Sequence, residues 1–346
     1  MIIVLGDAFV DKYTVGNVRG LSAEAPIPIL DVTEEFAIPG GAANVAQNLF
    51  NFGADVAMLQ PEGQNYPIKN RLLDQDGHQL ARFDLNDYCI PYSRADLLDL
   101  LEADAIVVSD YGKGSISEEV VNVLRNVKIP LYVDTKGDPS AWVGSNAVLF
   151  PNKAEYEKYK EAYDWFPQVI VKLSEEGVIY LEYGRAMEHV RSVAKFAKCV
   201  NGAGDTVMAA FITAQLGLNY NLFNTLNFAM AAAGIVVEQS FTKRTVELEE
   251  VLDRVDKEFN NEVQFGVQST GGPSNSSPIS LSILSLSSGQ EDFDSPSPSR
   301  PVSTDGIGNP AGYNADVPAA LGLEEAWEIF RRQGLGDDRS NSRPTN

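Results

Sequence analysis

The chain has 346 residues, with 27 lysines and arginines against 48 aspartates and glutamates, for a formal net charge of −21. So acidic a surface repels nucleic acid and anionic lipid, and a phosphorylated ligand would need a local device to catch it: a helix N-terminus, a discrete cation or a metal. Two cysteines (Cys89, Cys199) and two histidines (His78, His189) argue against a disulfide framework, a histidine-rich zinc site and a Ser-His-Asp triad, and favour a reducing, cytoplasmic setting.

In chain order, Met1-Ile-Ile-Val-Leu-Gly6 is apolar for about five residues and carries no basic leader, so it reads as a buried strand over 2–5 and not as a signal peptide. Residues 26–32 and a hairpin over 68–84, turning at Asp76-Gly77, read as strands outside the main alternation. They are expected to form a small β-lid, with strands at about 12–38 and 66–86. Ala42, Val45, Ala46 and Leu49 share one helical face. Buried-type strands follow at 105–109, 131–134, 147–150 and 169–172, then a hairpin at 178–183 and a helix over 207–215. The expected fold class is therefore α/β, a doubly wound, mostly parallel sheet. No run reaches the roughly 20 apolar residues of a membrane span. From residue 266 serine, proline and glycine dominate, so 1–265 is taken as the folded domain and 266–346 as a mostly disordered tail of unknown partner. Ile279-Ser-Leu-Ser-Ile283 could add a strand there, and Leu323, Ala326, Trp327 and Phe330 could form a short helix over 323–332.

The sharpest chemical feature is Asn201-Gly202-Ala203-Gly204-Asp205-Thr206, which follows a strand-like segment and opens the 207–215 helix. Glycines at a helix N-terminus present backbone N–H groups and about half a positive charge to an anion. A carboxylate beside such a hole suits a base that deprotonates an acceptor hydroxyl while fixed dipoles hold a phosphoryl group. The bland alternative is an N-capping aspartate. Pro39-Gly40-Gly41-Ala-Ala-Asn44 also opens a helix; either it is a tight turn, or the glycines admit a polyol that Asn44 binds. Asp7 and Asp11 lie past the first strand's carboxyl end, where open α/β sheets place ligands. Asn152 and Glu155 could orient a hydrated magnesium ion, or could be an ordinary capping box. Lys69, Arg71 and Lys113 are the candidate cations for a phosphate on the acceptor. No Gly-x-x-x-x-Gly-Lys-Ser/Thr occurs, and the first strand runs into Gly6-Asp7-Ala-Phe9, which disfavours P-loop and nicotinamide-binding designs.

The order Gly6-Asp7…Asp11, Gly40-Gly41…Asn44, Asn152…Glu155, Gly202-Ala203-Gly204-Asp205 resembles the ribokinase-like (PfkB) sugar kinases over roughly residues 1–255. The resemblance implies a doubly wound sandwich with a β-lid, ATP and Mg2+ as cofactors, an anion hole at Gly202-Ala203-Gly204 and a base at Asp205. It also implies a nucleotide loop at Lys172, Ser174 and Gly177, with Lys136 in the same cleft, and pairing of two copies through the lid. Arg19…Ser22-Ala-Glu24-Ala-Pro-Ile-Pro28, Ser109-Asp-Tyr-Gly-Lys-Gly114 and Asp134-Thr-Lys-Gly137 are similar to the kinase half of bacterial heptose 7-phosphate kinase/adenylyltransferases. That likeness implies phosphorylation of the anomeric hydroxyl of D-glycero-D-manno-heptose 7-phosphate, toward the lipopolysaccharide core, with Lys113 on the sugar side. Another sugar or nucleoside kinase of this fold, or a sugar-binding remnant, remains the alternative. Three departures stand out: residues 60–67 replace about one βα unit, Asn201 stands where the family usually has threonine, and no His-x-Gly-His motif follows residue 255.

Overall fold

The computed structural model describes residues 1–260 apart from 62, 65 and 240–245. The expected tail, with its strand at 279–283 and helix at 323–332, lies outside the described residues. In chain order the elements are β1 (Ile2–Gly6), β2 (Ala8–Leu21), β3 (Pro28–Gly41), α1 (Ala42–Asn51), β4 (Val56–Met58), β5 (Ile68–Asp74) and β6 (Gln79–Leu85). Then come β7 (Ala105–Asp110), α2 (Glu118–Leu124), β8 (Leu131–Thr135), β9 (Ala147–Leu149), α3 (Lys153–Lys158), α4 (Lys160–Tyr163) and β10 (Gln168–Lys172). The series closes with β11 (Val178–Glu182), β12 (Arg185–Val190), α5 (Ala203–Ile212), α6 (Leu222–Glu238) and α7 (Leu248–Val255).

The main sheet has eight strands in the order β12-β11-β10-β9-β8-β7-β1-β4, parallel from β4 through β10 and antiparallel across β11 and β12. The parallel strands are apolar through their middles because both faces are covered, whereas edge strand β12 (Arg185–Val190) is mostly exposed. Ile2 and Val4 of β1 pack into the layer of α1, α5 and α6, while Ile3 and Leu5 pack into the opposite layer with Leu124, Trp142 and Phe166. Burying a side chain such as Leu49 or Phe211 completely is worth about 1.5–3 kcal/mol.

The lid is a separate four-stranded sheet, β3-β2-β5-β6, in which only the central β2–β5 pair is parallel. Its strands fall within 8–41 and 68–85, close to the expected 12–38 and 66–86. β2 starts two residues after β1, and β3 runs directly into α1, so the lid grows out of the first βα unit of the sheet. Residues 59–67 lead from edge strand β4 straight into β5, where the resemblance anticipates a further βα unit. Cross-strand register lines Asp11, Lys69 and Asp84 in one row and Tyr13, Arg71 and Arg82 in the next. From the first of these rows Lys69 reaches the Tyr111 ring, just past the carboxyl end of β7.

Candidate active site

Asp205 links α5 to α1, through Asn44, and to the loop after β7, through Tyr111. The helix that carries Asp205 starts earlier than the apolar spacing implied, at Ala203, and the segment before the motif, residues 191–200, is not a strand. Gly202 is the N-cap at φ 76°, ψ −4°, a left-handed conformation that glycine adopts without a steric cost. Asp205 therefore stands inside the first turn and is not the cap. Its carboxylate, 4% exposed, accepts hydrogen bonds from Asn44 Nδ2 (2.7 Å) and from the Tyr111 hydroxyl (2.9 Å). Burial raises its pKa above the ordinary carboxylate value; the charge of Asp134 adds to this, and Asn44, Tyr111 and Lys172 oppose it. A carboxylate with raised basicity that stays hydrogen-bonded suits proton abstraction.

On one side of Asp205 lies a cavity of about 630 Å³. Its polar wall contains Lys136, Asn152, Lys172, Ser174 and Gly177, together with Gly202, Ala203 and Gly204 at the start of α5. Its apolar wall, which the sequence reading did not identify, comes from Val178, Ala194, Phe196, Val200, Met230 and Val237. The floor is an ionic chain: Asp134, at the end of β8, bonds Lys172 Nζ through Oδ2 and Lys136 Nζ through Oδ1, and Lys136 reaches Glu155 Oε1 at 3.1 Å. Burial disfavours the Asp134 charge, yet Lys172 and Lys136 hold its pKa below the usual carboxylate range. For Lys136, burial is likewise outweighed by Asp134 and Glu155, and its pKa is raised.

Asn152 and Glu155 form the capping box. Asn152 Oδ1 accepts the Glu155 N–H (2.9 Å), and Glu155 Oε2 accepts the Asn152 N–H (2.8 Å). With Glu155 Oε1 held by Lys136, both carboxylate oxygens already have one donor. Each keeps a second lone pair, so this pair fits hydrogen bonding to the water shell of magnesium better than direct ligation.

On the other side of Asp205 the expected acceptor residues divide by task. Asp7 is fully buried and its carboxylate is consumed by one loop: Oδ2 accepts from the Tyr111 and Lys113 N–H groups (both 2.8 Å), and Oδ1 from Ser115 N–H (3.1 Å) and hydroxyl (2.6 Å). It shapes the 111–115 loop and has no reach to spare for a sugar. Gly40 and Gly41 likewise admit protein: a Cβ at Gly40 would stand 2.3 Å from the Phe9 ring, and one at Gly41 2.1 Å from the Asp7 carbonyl oxygen. Asn44 donates through Nδ2 to Asp205. Asp11 pairs with Arg71 (3.1 Å), Arg82 with Asp84, and Lys113 with Asp87.

Lys69 differs from these. It is 8% exposed, and it makes no ion pair among the described residues, although Asp11 and Asp84 flank it in the lid row. Its Nζ lies 3.4 Å from the Phe9 ring centre and 5.1 Å from that of Tyr111. Burial, with help from the Lys113, Arg82 and Arg71 charges and against Asp11, lowers its pKa to about 8. Tyr111 and Asp134 are the functional residues that residue-level reading passed over. Both stand at carboxyl ends of adjacent parallel strands, the signal that had singled out Asp7.

A model of the pfkB family carbohydrate kinases matches residues 91–247. The bifunctional protein HldE of Histophilus somni is 32% identical over 302 residues, covering 72% of this chain and 63% of that protein. The HldE of Hydrogenovibrio crunogenus is 30% identical, covering 73% of this chain and 62% of that protein. The chain belongs to the pfkB carbohydrate kinase family. It spans less than two thirds of the length of these curated relatives. Among solved structures, Arabidopsis thaliana ribokinase complexed with ribose and ATP superposes with a TM-score of 0.59 at 19% identity, over 73% of this chain and 98% of that one. Phosphofructokinase-2 from Escherichia coli in complex with substrates and products gives 0.58 at 16%, over 74% and 98%. These establish the ribokinase-like fold. Kinases of the pfkB family are phosphotransferases with an alcohol group as acceptor. No helix among the described residues is long and apolar enough to cross a membrane.

Proposed function

We propose that this kinase transfers the γ-phosphoryl group of ATP to the anomeric hydroxyl of D-glycero-D-manno-heptose 7-phosphate, a precursor step for the lipopolysaccharide core. The observation that carries the reading is Lys69: a buried ammonium on the lid, set over aromatic rings and making no ion pair with the flanking Asp11 and Asp84, one tyrosine away from Asp205. Burying an unpaired charge is costly, so an anionic ligand would repay the arrangement. In a chain of net charge −21 such a cation is a specific device for a phosphate. The similarity to HldE proteins, and the likeness of residues 19–28, 109–114 and 134–137 to heptose 7-phosphate kinases, support the heptose as acceptor.

In this reading ATP enters the 630 Å³ cavity, with its base against the apolar wall and its phosphates toward Lys172 and the start of α5. The dipole of α5 stabilises charge on the transferring group. Asp205 accepts the proton of the attacking hydroxyl, which the lid presents. Asn152 and Glu155 would hold the waters of a magnesium ion, whose contribution is to neutralise phosphate charge. The test is an ADP-release assay against a panel of heptose, hexose and pentose phosphates and their unphosphorylated parents. The heptose 7-phosphate should give the highest kcat/KM; preference for an unphosphorylated sugar would replace the assignment with a plain sugar kinase.

A further inference from the structure

The geometry points to the Tyr111 hydroxyl as a removable cap on the catalytic base: it occupies Asp205 until an acceptor hydroxyl displaces it, and so keeps water from taking the sugar's place. The inference rests on the reading of Asp205 as the base.

Both oxygens of Asp205 are taken, Oδ2 by Asn44 and Oδ1 by Tyr111. Each oxygen keeps a second acceptor site, but Asp205 is only 4% exposed, and a hydroxyl that takes the position now held by either donor displaces it. Asn44 is the poorer candidate. It lies in the first turn of α1, and its side-chain and main-chain oxygens both accept from Asn48 Nδ2 (3.3 and 2.8 Å), Asn48 being 3% exposed. Tyr111 sits instead on a loop, and the next residue, Gly112, has a positive φ (71°). The loop backbone is clamped by Asp7, so the phenol can swing on its own side-chain torsions while its base stays fixed.

The ring also stands where the two substrates must meet. It borders the nucleotide cavity, packs edge-on to Phe9 at 5.1 Å, and has Lys69 and Lys136 at 5.1 and 5.2 Å from its centre. One cation belongs to the lid and the other to the nucleotide floor. A sugar that exchanges its own O–H for the tyrosine's at Asp205 loses nothing in hydrogen bonding and gains the lid contacts that hold the ring aside. Water offers the same O–H but no further binding energy with which to move the ring. The reaction suppressed is ordinary hydrolysis: the water oxygen bonds the γ-phosphorus, the bond to the β–γ bridging oxygen breaks, ADP leaves, and the water proton passes to Asp205. The tyrosine also lowers the basicity of Asp205 while it is in place, against the effect of burial.

The test is Tyr111→Phe in the full chain, which keeps the ring on Phe9 and deletes only the cap. With ATP and magnesium and no sugar, phosphate release should rise about tenfold, the size expected for one hydrogen bond to a charged group. The acid limb of that hydrolysis should lie higher in pH than the acid limb of sugar phosphorylation by the parent. Melting temperature and ATP affinity should be unchanged. Sugar-free release no faster than the parent's, or a parallel fall in hydrolysis and sugar phosphorylation, overturns the cap. Asp205→Asn in the same assay separates the two ideas. If it keeps turnover, the base assignment fails; if it loses turnover while Tyr111→Phe does not leak, the base stands and the cap fails.

Discussion

The two sides of Asp205 solve opposite electrostatic problems. On the nucleotide side, Lys172, Asp134, Lys136 and Glu155 alternate in sign, and every lysine of that chain has a carboxylate. On the lid, Arg71, Arg82 and Lys113 are paired, but Lys69 has rings for neighbours. The difference teaches that the floor is built to keep its shape whether or not ATP is present. The lid instead holds one charge in an unfavourable place that a ligand can relieve. Asp205, between them, answers to both, with Asn44 from α1 and Tyr111 from the loop after β7.

The largest expected effect removes the shared element. Asp205→Asn should keep the fold, since the amide can still bond Asn44 or Tyr111, and should lower kcat by about 10² to 10⁴. Pre-steady-state measurement of the chemical step is the check; unaltered turnover would reduce Asp205 to a structural residue of the α5 first turn.

The next effect tests the floor against the lid through stability. Lys172→Met leaves Asp134, 3% exposed, with only Lys136 as partner. Breaking a buried pair from one side typically costs about 3–5 kcal/mol. Lys69→Met removes a buried charge that makes no ion pair, so it should leave the urea midpoint unchanged or raise it. Equal destabilisation by the two substitutions would erase the distinction drawn here.

How much of this was legible in the sequence depends on how far each contact reaches. The strand over 2–5 and the helix after Gly41 could be read because an uninterrupted apolar run and a 3.6-residue period are local signals, and both are present in the structure. The start of α5 was misread by four residues because Ala203, Gly204 and Asp205 carry no apolar period, although a glycine N-cap lets the helix begin there. Polar residues after strands were found but not sorted. Asp7, bound to a loop 104 to 108 residues away, looks in sequence like a ligand-binding aspartate. Asn152 and Glu155 fit two readings because a capping box and a metal-water site use the same spacing. Tyr111 was quoted only as part of a resemblance; its partner is 94 residues distant, and no local pattern announces it.

A third effect is smaller and falls on binding. Lys69→Ala should raise KM for a phosphorylated acceptor at least tenfold, in keeping with about 1.5–3 kcal/mol for a charge-assisted contact. KM for ATP should hardly change, because Lys69 does not border the nucleotide cavity. Steady-state kinetics with each substrate varied in turn decides it. A joint rise in both constants would mean that Lys69 supports the fold of the site and not the acceptor phosphate.

The subtlest effect uses the same lysine without mutating it. Its pKa of about 8 is low because burial disfavours the ammonium. Below that pH Lys69 is charged and can receive a phosphate; above it the amine is neutral and the contact is lost. A bound phosphate favours the charged form, so the pKa rises in the complex and kcat should stay flat while KM carries the dependence. KM for the phosphorylated acceptor should therefore be constant to about pH 8 and then climb, by up to about tenfold per pH unit for a single proton. KM for ATP should not follow it. Lys69→Arg should abolish the break, since a guanidinium remains charged throughout this range. A parent KM that stays level through pH 9, with arginine and lysine indistinguishable, would show that the lid cation does not contact the acceptor, and the contrast between lid and floor would then be one of packing alone.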